Sequence, residues 1–422
     1  MDNRIKFSRR TFLKGALLAS VMGVPSIIKA ETINAPAKAD VQGERMALAM
    51  WDFSYMTRRY GEEAEYANVD SVLDGFVQRG YNCVRIDAFP HLIASDQTGK
   101  IEQEFIQLPQ KKTFMWGNHS EVAIHPRRDL IDFMSKCESR GIRVGLSSWF
   151  QNVSSNRTAM VTTPQEMARV WQETLEWIGE HQLLDIVEWV DICNEFPLNR
   201  WAPGAVAYMN QTLCAPLTEL YGIVAPYTRK QGEAISRYMY DVLNSLKPRF
   251  PQLKFCFSSG ASIPSRYQYV DFSPFDCLEP HIWLNSNFGF MVSTGLAAVL
   301  LEVPGATWCA SNACNRLYKK NRARYLNWMA EIMDGWVAIA NRLQVPLYTS
   351  EAWGPINYED LPASVNDREW EWVFDICEAC VDMARERGWT GICASNFSQP
   401  HHIGFYNDVA YHQRITDRIL NT

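Results

Sequence analysis

Excess positive charge is missing from this 422-residue chain: 41 Lys and Arg stand against 47 Asp and Glu, a net charge of −6. That balance makes the chain a poor candidate for binding nucleic acid or an anionic membrane, and neither is expected as a partner. No glycine-rich phosphate loop follows the first apolar run, which counts against a nucleotide-binding open sheet. No haem, iron–sulfur or flavin motif occurs, so no cofactor is expected. His401 and His402 are adjacent, but no ligand-spaced carboxylate cluster accompanies them, and no metal is expected. Cys377 and Cys380 form a CxxC inside the helical pattern WEWVFDICEACVDMA. Without a second pair or a nearby His, zinc or redox use is not expected there. Internal repeats and low-complexity tracts are also absent. What is present is ordinary globular composition, 47% hydrophobic and 21% charged, ample for a large core.

The N-terminus reads MDNRIKFSRRTFLKGALLASVMGVPSIIKA. Arg9 and Arg10 in SRRTFLK, followed by an apolar stretch from Gly15 to Ile28, resemble a bacterial twin-arginine export signal. The stretch falls short of the roughly 20 residues a spanning helix needs, so no stable membrane anchor is expected. AKAD at 37–40 offers a cleavage site after Ala39, with a site near Ala30 as the alternative. Residues 1–39 are therefore set apart from the fold, and the expected partner in export is the twin-arginine translocase. The expected location is periplasmic or secreted. Those 39 residues hold seven Lys/Arg and two Asp/Glu, so the mature chain falls from −6 to −11. Of 11 Cys, Cys83, Cys193, Cys256, Cys277 and Cys393 lie in apolar strand-like runs and read as small buried hydrophobes. Cys309 and Cys314 share a loop in this reading and are candidates to pair after export.

From residue 45 onward, short apolar runs alternate with amphipathic stretches. Eight runs read as strands: 46–53, 81–89, 142–150, 187–195, 253–260, 275–283, 345–353 and 389–397. Their continuous apolarity suits strands buried on both faces of a parallel sheet. Between most of them lie helical patterns of 3.6 period, such as Val69, Val72, Leu73, Phe76 and Val77. Gly80, Gly141 and Gly388 close three helices just before the next strand. Eight strands with interleaved helices and no break predict an α/β fold, a (β/α)8 barrel over residues 40–422; a doubly wound open sheet is the alternative. A long loop at about 284–316 either folds over the barrel mouth or buries against the body.

Barrel active sites form at the C-terminal ends of the strands. Those ends carry Trp51 and Asp52, Arg85 and Asp87, Trp149, Asn194 and Glu195, His281 and Trp283, Glu351 and Trp353, and Asn396. Glu195 and Glu351 end strands four and seven, facing each other across the barrel. Such a pair suits retaining glycoside cleavage, in which one carboxyl donates a proton and the other attacks the anomeric carbon. Arg85 is placed to keep Glu351 ionised, since a nearby cation favours the anion. Asn194 can donate its amide to a sugar hydroxyl, His281 and Trp283 can orient a carboxylate or the sugar, and Trp353 and Trp149 can stack on it. The 15 Trp of the chain suit sugar faces and large cores alike. Asp52, Asp87 and the His401–His402 pair read as loop structure.

CNEFP at strand four, SEAWG at strand seven, VRID at strand two and HIW at strand six together resemble the clan A glycoside hydrolases, in particular cellulase-like members. The resemblance covers nearly the whole mature chain in order. It implies a retaining (β/α)8 glycosidase acting on a carbohydrate, with Glu195 as acid/base, Glu351 as nucleophile, Arg85 as the partner of Glu351 and Asn194 as the 2-hydroxyl ligand. The chain departs from that pattern at two places. Trp283 stands where the family commonly has Tyr, and Asn396 with Phe397 stands where strand eight commonly ends in Trp. A non-catalytic glycan-binding barrel and a transglycosidase are the alternatives. The presence of both carboxylates favours an enzyme over a binder, and transfer shares the glycosyl-enzyme with hydrolysis.

Overall fold

Apolar runs too short to be helices become the staves of a closed ring. The computed structural model describes residues 37–421 apart from 63, 110–117, 152–156, 219–224, 297, 299–305 and 356–369. Of residues 1–39, expected to be an export signal, 1–36 lie outside the described residues, whereas Ala39 is buried and donates its N–H to the Arg387 carbonyl at 2.8 Å. Among those described, no helix is long and apolar enough to cross a membrane. The staves are β1 (Met46–Asp52), β2 (Cys83–Asp87), β3 (Arg143–Ser147), β4 (Val187–Asp191), β5 (Phe255–Cys256), β6 (Ile282–Trp283), β7 (Tyr348–Thr349) and β8 (Gly391–Cys393). All ladders between them are parallel, in the order β5-β4-β3-β2-β1-β8-β7. Parallel bridges Ser259–Pro280 and Leu278–Leu347 join the sixth stave to the fifth and seventh. Ile282–Trp283 also pairs in parallel with Ala352–Trp353, a second segment of the seventh stave. Eight staves therefore close the barrel, and the open sheet is excluded.

Staves five to seven are shorter than the apolar runs that predict them. Pro280 and Pro346 have no N–H to give to a ladder, so pairing there drops to isolated bridges. Each predicted helix between the staves forms, including Val69–Gln78, Pro126–Glu138, Pro164–Glu180, Arg229–Leu246, Arg322–Leu343 and Glu371–Glu386. Thr163 and Thr228 cap two of them by accepting from the backbone N–H of Glu166 and Gln231. Gly80, Gly141 and Gly388 take φ of 81°, 68° and 75°, the left-handed turn that lets the chain leave a helix and enter a strand.

The predicted loop at 284–316 holds two helices, Phe288–Thr294 and Ala306–Lys320. Phe290 meets Tyr325 edge-on at 5.0 Å, and Tyr318 packs 5.5 Å from Trp372 while donating its hydroxyl to Asp375 at 2.7 Å. The described part thus buries against the outer helices. Cys309 and Cys314 lie five apart on the helix, not in a loop. That spacing turns Cys309 to solvent and Cys314 inward, so both are free. The strand cysteines are buried as expected, and burial pushes the thiols of Cys377 and Cys380 up.

The barrel interior is floored by two rings. Trp189 of β4 stacks on Tyr348 of β7 at 4.9 Å. Glycines on other staves make room for them. A Cβ on Gly145 would come 2.3 Å from the Trp189 ring, and one on Gly391 would come 2.4 Å from Tyr348. The indole N–H of Trp189 points up from this floor and donates to Glu279 at 2.6 Å.

Candidate active site

Arg85 stands on the floor at the centre of the barrel, fully buried. Alternation along β2 turns it inward with Asp87, away from Val84 and Ile86. Its guanidinium meets three carboxylates. Nη1 donates to Glu351 at 2.9 Å, Nη2 to Asp191 at 2.6 Å, and Nε lies 3.0 Å from Glu279. Nη2 also reaches Ser147 at 3.0 Å and the side-chain oxygen of Asn194 at 2.7 Å. The Asn194 amide nitrogen is buried with no partner among the described residues, which leaves a donor for a ligand.

Glu195 ends the fourth stave where the chain turns. Its backbone is left-handed, with φ 48°, a strained state for a residue with a side chain. Its N–H donates to Ser258 at 2.8 Å, and Gly260 must lack a Cβ, which would sit 2.7 Å from that of Glu195. The Trp201 indole donates to Oε2 of Glu195 at 3.3 Å, and His281 Nδ1 lies 3.2 Å from Oε1. The same Nδ1 is 3.6 Å from Oε2 of Glu351. One ligating atom each from Glu195, His281 and Glu351 falls within a 4.8 Å triangle.

Four carboxylates therefore share two cations. Burial opposes the Arg85 charge, but Glu279, Asp191 and Glu351 more than offset this and hold it protonated. Burial likewise opposes a charged His281, yet Glu351, Glu195 and Glu279 push its pKa up to about 10, so it is an imidazolium at neutrality. Burial raises Glu195, but the hydrogen bond and charge of His281 outweigh it and hold the carboxyl below its usual range. Glu351 goes the other way. Burial and the Glu195 charge raise it despite His281 and Arg85. Arg85 favours the Glu351 anion, as its placement predicts, but burial and Glu195 outweigh it.

Other expected site residues are placed differently from what the strand ends suggested. Trp51 faces the helix layer, packed against Tyr66, Phe76 and Phe133 with its N–H on the Ser398 carbonyl at 3.0 Å. Strand alternation puts it opposite Asp52, so it belongs to the core rather than to a sugar site. Trp149 is 3% exposed, and Arg85 covers its face at 4.5 Å. It supports the guanidinium and has no open face for stacking. Trp353 is buried, with its N–H on the Cys393 carbonyl at 2.9 Å. Trp283, paired in register with it, is half-buried and keeps a face. Asn396 is buried beside the Ala352 carbonyl, and both side-chain polar atoms lack partners among the described residues. Asp87 accepts from the N–H groups of Phe89 and Trp149 at 2.7 and 2.9 Å, as loop structure does.

Asp191 and Glu279 were not legible as site residues. Glu279, His281 and Trp283 recur every second residue, so the inward face of that strand was a usable signal. Among the described residues, two groups bring metal-type ligands together: Asp191–Cys256–Glu279 and Glu195–His281–Glu351. In each, a cation of the protein's own already occupies the carboxylates, Arg85 in the first and His281 in the second.

A model of the sugar-binding cellulase-like family matches residues 48–420. Among solved structures, a candidate glycoside hydrolase from Parabacteroides distasonis is 31% identical. That match covers 89% of this chain and 93% of the other, with a TM-score of 0.75. A glycoside hydrolase family 5 enzyme from Prevotella bryantii is 10% identical over 90% of this chain and 100% of that one, at a TM-score of 0.49. An endo-β-1,4-mannanase from Thermotoga petrophila is 11% identical, over 91% and 79%, at 0.49. No curated protein is similar enough to count as a relative. With the family match running from the first stave to the last helix, the chain belongs to the cellulase-like family and is a glycoside hydrolase of that type.

Proposed function

We propose that the protein is an exported retaining glycosidase that cleaves a β-linked oligo- or polysaccharide by double displacement, with Glu195 as acid/base and Glu351 as nucleophile. The approach of the two carboxylates carries this reading: their nearest ligating oxygens and His281 lie within 4.8 Å of one another. Retaining enzymes hold their carboxyls about 5–5.5 Å apart, whereas inverting ones leave about 6.5–9.5 Å for a water. Glu351, 7% exposed, sits deep on Arg85, where a nucleophile meets the anomeric carbon. Glu195, 15% exposed, sits nearer the mouth, where a leaving group departs. The Asn194 amide nitrogen and the Asn396 amide, which have no partner among the described residues, and the half-buried Trp283 are the groups assigned to the sugar.

Purified mature protein is expected to hydrolyse one or more members of a panel of aryl β-glycosides and β-glycans. Proton NMR should find the β anomer released first. First release of the α anomer would sink the retaining mechanism. Glycan binding without turnover would favour the non-catalytic barrel. The export part rests on SRRTFLK and the apolar stretch from Gly15 to Ile28 that follows it. Changing Arg9 and Arg10 together to Lys is expected to keep the chain in the cytoplasm of a bacterial host. Undiminished periplasmic recovery would rule out the twin-arginine route.

A further inference from the structure

Glu195 must deliver a proton, yet His281 holds it on the anionic side. The stave-six residue behind the ring resolves this. Glu279 is buried and faces donors throughout. Oε2 accepts from Trp189 at 2.6 Å and from the Cys256 thiol at 3.9 Å. Oε1 accepts from the Ser350 hydroxyl and meets Arg85 Nε at 3.0 Å. A carboxylate supplied this way has no use for a proton of its own. Its Oε1 also lies 3.7 Å from Nε2 of His281, a nitrogen with no hydrogen-bond partner among the described residues. A bare lone pair on Nε2 would face an anion, so Nε2 keeps its hydrogen. The exchangeable proton of the ring is therefore the one on Nδ1, between Glu195 and Glu351.

We propose that His281 stores the proton that Glu195 delivers, and that Glu279 is the positioning residue that fixes the ring for this task. The proposal rests on the acid/base reading of Glu195. As the glycosidic C–O bond breaks and the bond from Glu351 to the anomeric carbon forms, the proton passes from Nδ1 to Oε1 of Glu195 and on to the leaving oxygen. The ring is left neutral with its hydrogen on Nε2. When water attacks the glycosyl-enzyme, the bond to Glu351 breaks and the proton of the water returns through Glu195 to Nδ1. The charged groups facing the ring are Glu195, Glu351, Glu279 and Arg85; the three carboxylates favour its cation and Arg85 opposes it.

The test reads the ring itself. The chain has eight His, and in ¹⁵N-histidine-labelled protein the signals missing from H281Q are those of His281. Nε2 is expected to stay protonated at all pH values from 5 to about 9, and Nδ1 to titrate near 10. An opposite charge at this range is worth about 1–3 pH units, so in E279Q Nδ1 should titrate lower by that amount. The alkaline limb of kcat/KM for substrates with poor leaving groups should move down by the same amount while the acid plateau holds. A neutral His281 at pH 7, a proton on Nδ1 alone, or an unmoved titration in E279Q would overturn the proposal. Should E279Q fail to fold, E279D withdraws the charge by one methylene, and a smaller shift of the same sign is expected. If the protein cleaves no glycoside, the acid/base reading falls, while the NMR result still decides how the ring is held.

Discussion

Glu351→Ala is expected to lose about 10⁴-fold or more in kcat on every substrate, the scale on which deleting one member of a covalent-catalysis unit acts. The side chain forms the bond that divides one difficult displacement into two easier ones. Without it the glycosyl-enzyme cannot form, whatever the leaving group. The fold should survive the change, because Arg85 keeps Asp191 and Glu279 as partners. Thermal melting of the variant checks this. Azide should restore part of the turnover by filling the vacated space and attacking from the Glu351 side, which yields a glycosyl azide of inverted configuration. Turnover by Glu351→Ala within tenfold of wild type would remove Glu351 from the nucleophile role.

Glu195→Ala is expected to divide substrates by leaving group. General acid catalysis contributes about 10²–10⁴-fold where the departing oxygen needs a proton. Natural glycans and alkyl glycosides should therefore lose that much in kcat/KM. Activated aryl glycosides, which leave as stable anions, should keep kcat/KM within about tenfold, since their first step needs no acid. Their kcat should still fall, because Glu195 also activates the water of the second step, and a burst of aryl product should precede a slow steady state. Equal losses in kcat/KM for both substrate types would remove Glu195 from the acid role and leave its contacts with Trp201 and His281 as structure.

The order of staves and helices was legible because two periods separate cleanly in this chain. Continuous apolar runs mark strands buried on both faces, and a 3.6 repeat marks the outer helices. Glu195, Glu351, Arg85 and His281 were legible for a related reason, since a charge closing an apolar run is conspicuous. Register was not legible, and register decides which way a residue points. Trp51 and Trp149 carry the right ring at a strand end but face the helix layer and Arg85. Glu279 was hidden by its surroundings, inside an apolar run between Leu278 and Pro280. The hairpin of Phe105–Gln107 with Val122–Ile124 escaped notice because three-residue strands leave no period to detect. Proton placement was not legible either. Arg85 meets Glu351 and favours its anion, but the burial and the Glu195 charge that work against it were not visible in the sequence.

The aromatic floor has a consequence for how such a protein changes over generations. Trp189, Tyr348 and the two glycines beneath them interlock across four staves, so a substitution at any one strands the other three. Glu279 is tied to that floor through the Trp189 indole, and Arg85 and His281 are tied to Glu279. Selection on the rings is thus selection on the reaction. The rim is under no such tether. Trp283, one of the two departures from the common pattern, is half-buried at its strand end and stands outside that interlock. A lineage built this way is free to explore new sugars one rim residue at a time, while its chemistry is inherited as a block.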